Sequence, residues 1–524
     1  MASIAAEVVG ERTAIPTPFG LRPLVYADYT ASGRAYAPIE TFIRERVLPF
    51  YANTHSDSSL VGRQSNRLRE QARETIRKAL NAGPDHAVIF CGSGATAAIN
   101  KLIGMLELRQ PQSQPVVVFI GPYEHHSNEL PWRESEAQVV VIPLDESGQL
   151  DQQVLEQQLQ EWQGRASLLA SFSAASNVTG LKTDTAAVGA LVHHYGGRVF
   201  WDYAAAAPYL GIDVADKDAV FISPHKFLGG PGTPGLLVVR RELARNAVPT
   251  VPGGGTVSFV APDFHHYIED CEHREEGGTP AIIEAVRAGL VFKLQQQVGT
   301  EQIEQREHAL VGRALQRWSA HPNIRVLGDL SLPRLSIISL QIAKGDQQLH
   351  YSFVVALLND LFGIQARGGC SCAGPYGHSL LEIDGSTSRA LDAQVSRGHS
   401  VLRPGWVRLN FNYFLDEDTV EYLLRAVELI AEHGWRLLPR YRYLSSTGTW
   451  VCDGEPLDLP VSLDDFHGAS EALAPAPRSD MSLTECLRAA EQILAQAEPG
   501  LRETVIELDA QAESLRWFYL PVAG

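Results

Sequence analysis

The sequence predicts an α/β fold with a largely parallel sheet. Short apolar runs alternate with segments of helical spacing between residues 87 and 239, and reactive side chains follow several of these runs. Such alternation is typical of a parallel sheet with helices on both faces. Seven runs are predicted to be its strands: 87–90, 115–120, 138–142, 167–173, 199–203, 219–222 and 235–239. Intervening helices are predicted through 97–102, near 151–163 and near 184–195.

The composition is that of a globular protein that folds without a metal or disulfides. The chain has 524 residues, 45% of them hydrophobic and 20% charged, and this length allows two or three domains. Its net charge of −17 and its lack of Lys/Arg clusters argue against a nucleic-acid partner. Solubility explains the negative charge more simply.

Three features favour a cytoplasmic location. The amino terminus has no basic region followed by an apolar core, so no secretory signal is expected. No run of 18 or more apolar residues occurs, so no membrane partner is predicted. The six cysteines, at positions 91, 271, 370, 372, 452 and 486, are few for this length, and we expect them to be reduced thiols.

Four regions are predicted along the chain: an N-terminal arm (1–24), a large domain (25–290), a smaller α+β domain (291–440) and a C-terminal extension (441–524). Helices are predicted at 38–48 and 64–80, and a long helix from 281 to 297 continues towards 317. The smaller domain has predicted strands at 335–342 and 406–411 and helices at 350–361 and 417–433. The extension begins with a Pro-rich, acidic linker (453–477) and ends with helices near 482–497 and 503–516.

The reactive residues are predicted to meet at one edge of the parallel sheet. His125, Asn177, Asp202 and Lys226 each follow a predicted strand. Because ligands of parallel sheets bind outside the carboxyl ends of the strands, these four residues form a candidate site.

Lys226 is the residue around which this candidate site is arranged. It ends the string Ser-Pro-His-Lys and precedes a glycine-rich turn at 229–232. A desolvated lysine amine can lose its proton and form a Schiff base with an aldehyde. Pyridoxal phosphate (PLP) enzymes need such a lysine, a carboxylate for the pyridinium nitrogen and a cradle for the phosphate. Taken alone, a Ser-x-His-Lys string is more often an ordinary strand end.

Two further segments are candidates for the cradle and for a site loop. Residues 91–96 join a predicted strand to a predicted helix and are rich in glycine and hydroxyl groups, which suits a phosphate at a helix amino end. A capped turn without a ligand is the other explanation. The spacing matches neither a dinucleotide fingerprint nor a P-loop. The polar stretch 53–59 is either an active-site loop or a surface loop.

Several motifs together resemble the class V aminotransferase group of PLP enzymes of fold type I, most closely the cysteine desulfurase and selenocysteine lyase family. The resemblance covers roughly residues 24–435. Its motifs, in family order, are Tyr-Ala-Asp-Tyr-Thr-Ala-Ser (26–32), Tyr-Ala-Asn-Thr-His (51–55), Glu-His-His-Ser-Asn (124–128), Ser-Asn-Val-Thr-Gly (176–180), Trp-Asp-Tyr-Ala (201–204), Ser-Pro-His-Lys (223–226) and Glu-Gly-Gly-Thr-Pro (276–280).

The resemblance implies PLP as the cofactor and a role for each matching residue. Lys226 would hold PLP and move the substrate's α-proton, Asp202 would pair with the pyridinium nitrogen, and His125 would stack on the ring. Asn177 would contact the cofactor phenolate or the substrate carboxylate. The phosphate would be bound by Gly94, Ala95, Thr96, Ser223 and His225, and by Thr279 of a second copy, which implies a homodimer. A structural alternative is that Asp202 merely caps a helix.

The resemblance also implies an amino-acid substrate and a persulfide. Arg408, with Asn177 and His55, would bind the substrate, although Arg408 could instead form a buried salt bridge. Cys372 would attack the sulfur of L-cysteine, release alanine and pass its sulfur to an acceptor protein. Cys370 could resolve this persulfide, form a redox pair or have no role. No metal site is predicted, because no second ligand pair accompanies Cys-Ser-Cys.

Three departures from the family pattern keep a second interpretation open. Ala205 occupies a position that is usually polar, a polar insert (384–388) separates Cys372 from Arg408, and the tail after about 440 has no counterpart. The chain would then be a related PLP enzyme, such as a C–S lyase, an aminotransferase or an epimerase, in which Cys372 is not the nucleophile. A catalytically silent binding scaffold is a third class, against which the intact Lys226 and Arg408 argue.

Overall fold

The computed structural model describes residues 2–54, 56–454, 461–466, 476–497, 506 and 508–520. The chain divides into two compact units. The sheet unit comprises Tyr29–His308 and Ser331–Leu335, and the terminal unit comprises Met1–Asp28, Ala309–Leu330 and Ser336–Gly524. His55, a predicted substrate-binding residue, lies outside the described residues.

Strands are numbered in chain order. They are β1 (Ala14–Thr17), β2 (Gly20–Pro23), β3 (Val25–Tyr26), β4 (His86–Cys91), β5 (Val116–Ile120), β6 (Gln138–Val141), β7 (Ser167–Ser173), β8 (Arg198–Asp202), β9 (Ala219–Ile222), β10 (Gly235–Arg240), β11 (Val257–Val260), β12 (His265–Tyr267), β13 (Ile324–Val326), β14 (Ile337–Lys344), β15 (Gln347–Gln348), β16 (Ile364–Gln365), β17 (Arg367–Gly369), β18 (Trp406–Asn410), β19 (Tyr441–Leu444) and β20 (Thr449–Cys452).

The α-helices are numbered in the same way. They are α1 (Ala2–Ala5), α2 (Ala37–Phe42), α3 (Leu60–Ala79), α4 (Gly94–Met105), α5 (Leu130–Arg133), α6 (Gln152–Trp162), α7 (Thr185–His194), α8 (Cys271–Arg274), α9 (Ile282–Val298), α10 (Thr300–Ser319), α11 (Tyr351–Phe362), α12 (Gly374–Leu380), α13 (Gly385–Ser396), α14 (Glu417–His433), α15 (Leu483–Gln496) and α16 (Ala510–Ser514). In the described part of the chain, no helix is both long enough and apolar enough to cross a bilayer.

The sheet unit contains a seven-stranded sheet in the order β4-β10-β9-β8-β7-β5-β6. Neighbours from β9 to β6 are parallel, and only β10 runs against both β4 and β9. All seven predicted strands are present, and the predicted fold class is confirmed. Every residue of β5 and of β9 is buried, because both faces of a parallel sheet are covered by helices.

The terminal unit contains an antiparallel sheet in the order β13-β14-β18-β17, with β15 paired to β14. β17 leads directly into the loop that carries Cys370 and Cys372, and β18 carries Arg408. Arg367 of β17 stands opposite Arg408 in the register of these two strands. The sheet therefore fixes the start of the cysteine loop beside the predicted substrate-binding arginine.

Part of the C-terminal extension packs on helices of the terminal unit. Strands β19 and β20 form a hairpin, and the hydroxyl of Tyr441 donates to the buried carboxylate of Asp360 on α11 at 2.8 Å. The predicted helix at 482–497 is confirmed as α15, and its Cys486 contacts Tyr422 of α14 at 3.0 Å. Large parts of the predicted 453–477 linker and the start of the 503–516 helix lie outside the described residues.

One helical prediction was wrong, and one helix was not predicted. The long helix from 281 ends at Gly299, whose φ of +90° breaks it into α9 and α10. The polar insert (384–388) was not predicted to be helical, but it supplies the cap and the first turn of α13, where Asp384 accepts from the N–H groups of Ser386 and Thr387. In both cases a single residue at a helix end decides the local structure.

Candidate active site

Lys226 and Asp202 lie at the carboxyl ends of two neighbouring parallel strands. Asp202 is the last residue of β8, and Lys226 ends a 3₁₀ turn that follows β9. Burial raises the pKa of the Asp202 carboxyl, while the N–H of Ala204 and the positive charge of Lys226 oppose this rise. The two predicted residues are therefore within electrostatic reach of each other. Residues 204–209 form turns, so Asp202 does not cap a helix.

Glycines allow the turn around Lys226 to pack without a gap. A Cβ on Gly33 would lie 1.8 Å from the carbonyl oxygen of Phe227, and one on Gly230 would lie 2.0 Å from that of Pro224. The N–H of Gly33 also donates to the carbonyl of His225 at 2.8 Å. Backbone thus presses on both sides of the turn, which holds the base of the lysine side chain in place.

The predicted phosphate cradle is brought together at the amino end of α4. The N–H of Ala95 donates to Ser223 Oγ at 2.9 Å. Gly94 has a φ of +57°, and a Cβ there would lie 2.8 Å from Ser223 Oγ and 2.9 Å from His225 Cε1. Burial, with the charge of Lys226, lowers the pKa of His225 to about 4, so this ring is neutral at pH 7. Thr96 Oγ1 lies 2.6 Å from the hydroxyl of Ser127.

His125 is held in one tautomer by the turn that follows it. Its Nδ1 accepts the N–H of Ser127 at 3.1 Å, so in the neutral ring Nε2 carries the proton. The side chain is half-buried. Asn177 is buried in the turn after β7, where Ser176 Oγ accepts the N–H groups of Val178 and Thr179.

Glu124 is a buried acid for which the sequence predicted no role. Its carboxylate accepts from the N–H of Ser173 at 2.8 Å, from the hydroxyl of Ser173 at 2.6 Å and from the amide of Asn128 at 2.7 Å. Burial raises its pKa to about 7, and the negative charge of Asp202 adds to the rise. The Glu-His-His motif contained this residue, but its burial could not be read from the motif.

Thr279 and Asn53 lie together on the surface of the sheet unit. Asn53 Nδ2 is 3.5 Å from Thr279 Oγ1, and both residues are exposed. The structure therefore brings Asn53 next to the Gly-Gly-Thr-Pro motif, although more than 220 residues separate Asn53 from Thr279 in the chain.

In the terminal unit, Cys372 lies in a tight turn at the end of β17. The N–H of Ala373 donates to the carbonyl of Cys370 at 3.1 Å, which closes a four-residue turn. Its central residues, Ser371 and Cys372, have φ values of +54° and +56°. Backbone of this kind favours glycine or asparagine and is strained for other residues. Both Cys370 and Cys372 are exposed.

Arg408 is buried and forms the salt bridge that was the alternative explanation for it. Its Nη2 lies 3.1 Å from Asp28 Oδ1, and Arg367 Nε lies 2.9 Å from the other oxygen of Asp28. Burial lowers the pKa of the Arg408 guanidinium, while Asp28 and the nearby Cys372 oppose this. Asp28 was missed as a site residue, since a contact across 380 positions leaves no signal in the local sequence.

The geometry divides the predicted residues between the two units. Lys226, Asp202, His125 and the predicted phosphate-binding residues belong to the sheet unit. Cys372 and Arg408 belong to the terminal unit. Among the described residues, no group of three or more His, Cys, Asp or Glu side chains could hold a metal ion. A mostly parallel sheet with a lysine and an acid at neighbouring strand ends is the arrangement of the PLP-dependent transferases of fold type I.

Comparison with known families supports this classification. The family model for class V aminotransferases matches residues 25–423, and the chain belongs to this family. It is similar to a probable cysteine desulfurase of Halalkalibacterium halodurans, with 28% identity over 67% of this chain and 85% of the relative. It is also similar to a cysteine desulfurase of Synechococcus elongatus, with 30% identity over 68% of this chain and 55% of the relative.

Solved structures show the same fold. A cysteine desulfurase from Thermococcus onnurineus NA1 aligns with a TM-score of 0.67 and 24% identity, over 78% of this chain and 95% of that protein. A cysteine desulfurase from Escherichia coli aligns with a TM-score of 0.63 and 24% identity, over 78% of this chain and 94% of that protein. Both likenesses confirm the predicted fold type.

Proposed function

We propose that this chain is a PLP-dependent cysteine desulfurase that converts L-cysteine to L-alanine and holds the sulfur as a persulfide on Cys372. The observation that carries this proposal is the exposed Cys372, presented on a tight turn within electrostatic reach of the buried Arg408. An accessible thiol beside a carboxylate-binding group is what attack on the sulfur of an amino acid requires. The class V relatives named as cysteine desulfurases support the same chemistry.

The residues of the sheet unit fit PLP. Because Gly94 has no side chain, the space beside Ser223 and His225 stays open at the amino end of α4, where a phosphate would bind. The phosphate would be bound by Gly94, Ala95, Thr96, Ser223 and His225, and by Thr279 of a second copy. Lys226 would hold the aldehyde, Asp202 the pyridinium nitrogen, and His125 and Asn177 the ring and its phenolate. When bound, PLP supplies an electron sink for the substrate's α-carbon.

The chain's own groups then perform the proton and sulfur transfers. Arg408 exchanges part of its contact with Asp28 for the substrate carboxylate. The amine of Lys226 takes the α-proton and later returns a proton to carbon. The Cys372 thiolate attacks the substrate sulfur, so that an S–S bond forms while the C–S bond breaks. The electron pair of the broken C–S bond stays with the carbon atom, which is then protonated to give alanine.

We further propose that the enzyme acts as a cytoplasmic homodimer. The Asn53–Thr279 contact places two family motifs on one exposed surface. Large apolar side chains on either side of the Asn53 segment are also exposed, including Phe50 at 49% and Leu60 at 64%. Apolar side chains of this size favour burial against a partner surface. A sulfur-acceptor protein is the second partner, and the six free thiols are compatible with a reducing compartment.

The proposal is tested with purified protein, PLP and L-cysteine. We expect stoichiometric alanine formation, and we expect Cys372→Ala to keep the PLP absorbance but lose alanine production. Borohydride treatment should attach a pyridoxyl group to the peptide that contains Lys226. Undiminished alanine formation by Cys372→Ala, or a peptide without added mass, would contradict the proposal.

Ala205 favours a second candidate, a C–S lyase, aminotransferase or epimerase. Its methyl group is buried three positions after Asp202, where the resembled family has a hydrogen-bonding side chain. Without that hydrogen bond, we expect the pKa of the group that Lys226 forms with the cofactor to differ from that in the resembled family. Formation of pyruvate and ammonia from L-cysteine, amino transfer to a 2-oxo acid, or inversion of an L-amino acid would select this candidate.

A further inference from the structure

Cys370 and Cys372 share one turn whose base is held firmly. A Cβ on Gly405 would lie 2.8 Å from the Cα of Gly369, and one on Gly368 would lie 2.8 Å from the ring of Tyr351. Strand β17 is thus pressed against its neighbours up to the residue before Cys370. The turn itself is closed by the hydrogen bond between Ala373 N–H and the Cys370 carbonyl.

The turn places the two cysteines at its first and third positions. In a tight turn such residues have Cα atoms about 5–6 Å apart, within the ~4.4–6.8 Å that disulfides span. Cys372 acts electrostatically on Arg408, and Cys370 acts on Tyr351. The positive φ values of Ser371 and Cys372 store strain that a rearrangement of the turn could release.

The other four cysteines are shielded. Cys91, Cys271 and Cys486 are buried and Cys452 is half-buried. Burial raises the pKa of Cys91 to about 12 and also raises those of Cys271, Cys452 and Cys486. Exchange reactions need an accessible thiolate, so they are confined to the pair on the turn.

We propose that Cys370 is a resolving thiol for the persulfide on Cys372, an inference that rests on the function proposed above. The Cys370 thiolate attacks the inner sulfur of the persulfide, which forms a Cys370–Cys372 disulfide and breaks the bond to the outer sulfur. The outer sulfur leaves with that electron pair as hydrosulfide. The sulfane sulfur is thereby reduced while the two thiols are oxidised, and a dithiol reductant restores the pair.

This step gives the enzyme a second fate for its sulfur. An acceptor that reaches Cys372 first takes the sulfur as a persulfide. In its absence Cys370 discharges the sulfur as free sulfide, and the turn remains oxidised until a dithiol reduces it. Turnover without an acceptor therefore depends on a dithiol and not on a monothiol alone.

The test loads the reduced holoprotein anaerobically with one equivalent of inorganic polysulfide, so that it needs no desulfurase activity. Free thiols and persulfides are alkylated, and the tryptic peptide 368–389, which contains both cysteines, is weighed. We expect the wild type to release sulfide and to yield a peptide lacking two hydrogens and any alkyl group. Cys370→Ser should keep an alkylated persulfide on Cys372 for at least about tenfold longer. Cys452→Ser is the matched control and should behave as the wild type.

Two outcomes would overturn the resolving role. One is a wild-type persulfide as long-lived as that of Cys370→Ser, and the other is a disulfide that forms equally without polysulfide. Failure of the proposed function has a different signature, because alanine formation from L-cysteine is measured separately and does not enter the polysulfide experiment. Cys370→Ser should retain the first turnover of alanine, whereas Cys372→Ser should lose it.

Discussion

The carboxyl end of the seven-stranded sheet is tightly packed and buried, whereas the cysteine turn is exposed. At the sheet edge, glycines at 33, 94 and 230 let backbone and side chains approach until no Cβ could fit, and the acid of Asp202 is buried. At the turn, two thiols are exposed on a backbone held at positive φ. A group that must hold a cofactor gains from immobility, whereas a thiol that must meet a substrate and an acceptor needs access and movement.

The two regions also differ in how their buried charged groups are stabilised. Burial raises the pKa of Glu124 to about 7, and the negative charge of the buried Asp202 adds to the rise. Arg408 is equally buried, but it has Asp28 as a direct partner at 3.1 Å. The sheet edge therefore keeps an acid close to its neutral form, and the terminal unit keeps a paired cation.

The largest effect is expected for Lys226→Ala. The variant lacks the amine that we propose holds PLP and moves the α-proton, so the rate of alanine formation should fall by more than about 10³-fold. Lys78→Ala is the matched control, since the Lys78 side chain is 75% exposed on α3. Alanine production and the PLP absorbance are measured, with circular dichroism to check folding. A Lys226→Ala variant that forms alanine at a rate within about tenfold of the wild type would show that Lys226 is not required for the reaction.

Gly94→Ala should weaken both the stability of the protein and its binding of PLP. The new methyl group would meet Ser223 Oγ at 2.8 Å and His225 Cε1 at 2.9 Å, on a backbone with a φ of +57°. We expect a loss of about 1–3 kcal/mol in the free energy of unfolding and weaker PLP binding. Gly148→Ala separates the two causes, because Gly148 has a φ of +83° but no atom within 4 Å of the added Cβ. Equal PLP affinity in both variants would contradict the prediction that a methyl group at position 94 disturbs the phosphate-binding residues.

The raised pKa of Glu124 predicts a pH dependence of stability. The folded protein holds this proton up to about pH 7, whereas the unfolded chain loses it near 4.5. The contribution of Glu124 is therefore fully present below pH 4.5 and is lost as the pH rises through 7. It is worth on the order of 3 kcal/mol. Glu124→Gln should lose this dependence, so its stability relative to the wild type should be higher at pH 8 than at pH 5. Urea unfolding at both pH values measures the difference, and parallel behaviour of the two proteins would contradict the prediction.

The smallest effect is expected for Ser371→Gly in the cysteine turn. Glycine adopts the φ of +54° without strain, so the variant should be more stable than the wild type by about 0.5–1 kcal/mol. Ser379→Gly on α12 is the control and should be slightly less stable, since glycine weakens a helix. Thermal unfolding compares the three proteins. A loss of stability in Ser371→Gly would show that the turn is not strained.

Local sequence patterns predicted most of the fold. The seven strands of the large sheet and the helix α15 could be read from apolar periodicity, and the residues that follow those strands predicted a lysine and an acid at one edge of the sheet. The break at Gly299 and the capped helix α13 were missed, because each depends on one residue inside a longer pattern. The division of the chain into arm, two domains and extension, with their separate roles, stays a prediction.

The sequence by itself determined the fold class, since alternating strands and helices with these apolar runs have few other ways to cover both faces of a sheet. It also determined which residues carry reactive groups. Only the tertiary structure decided their state: the pairing of Asp28 with Arg408, the burial of Glu124 beside Asp202 and the shared turn of Cys370 and Cys372. The charge, exposure and backbone strain of a side chain depend on which distant segments pack around it, and packing follows from the whole chain rather than from its neighbours in sequence.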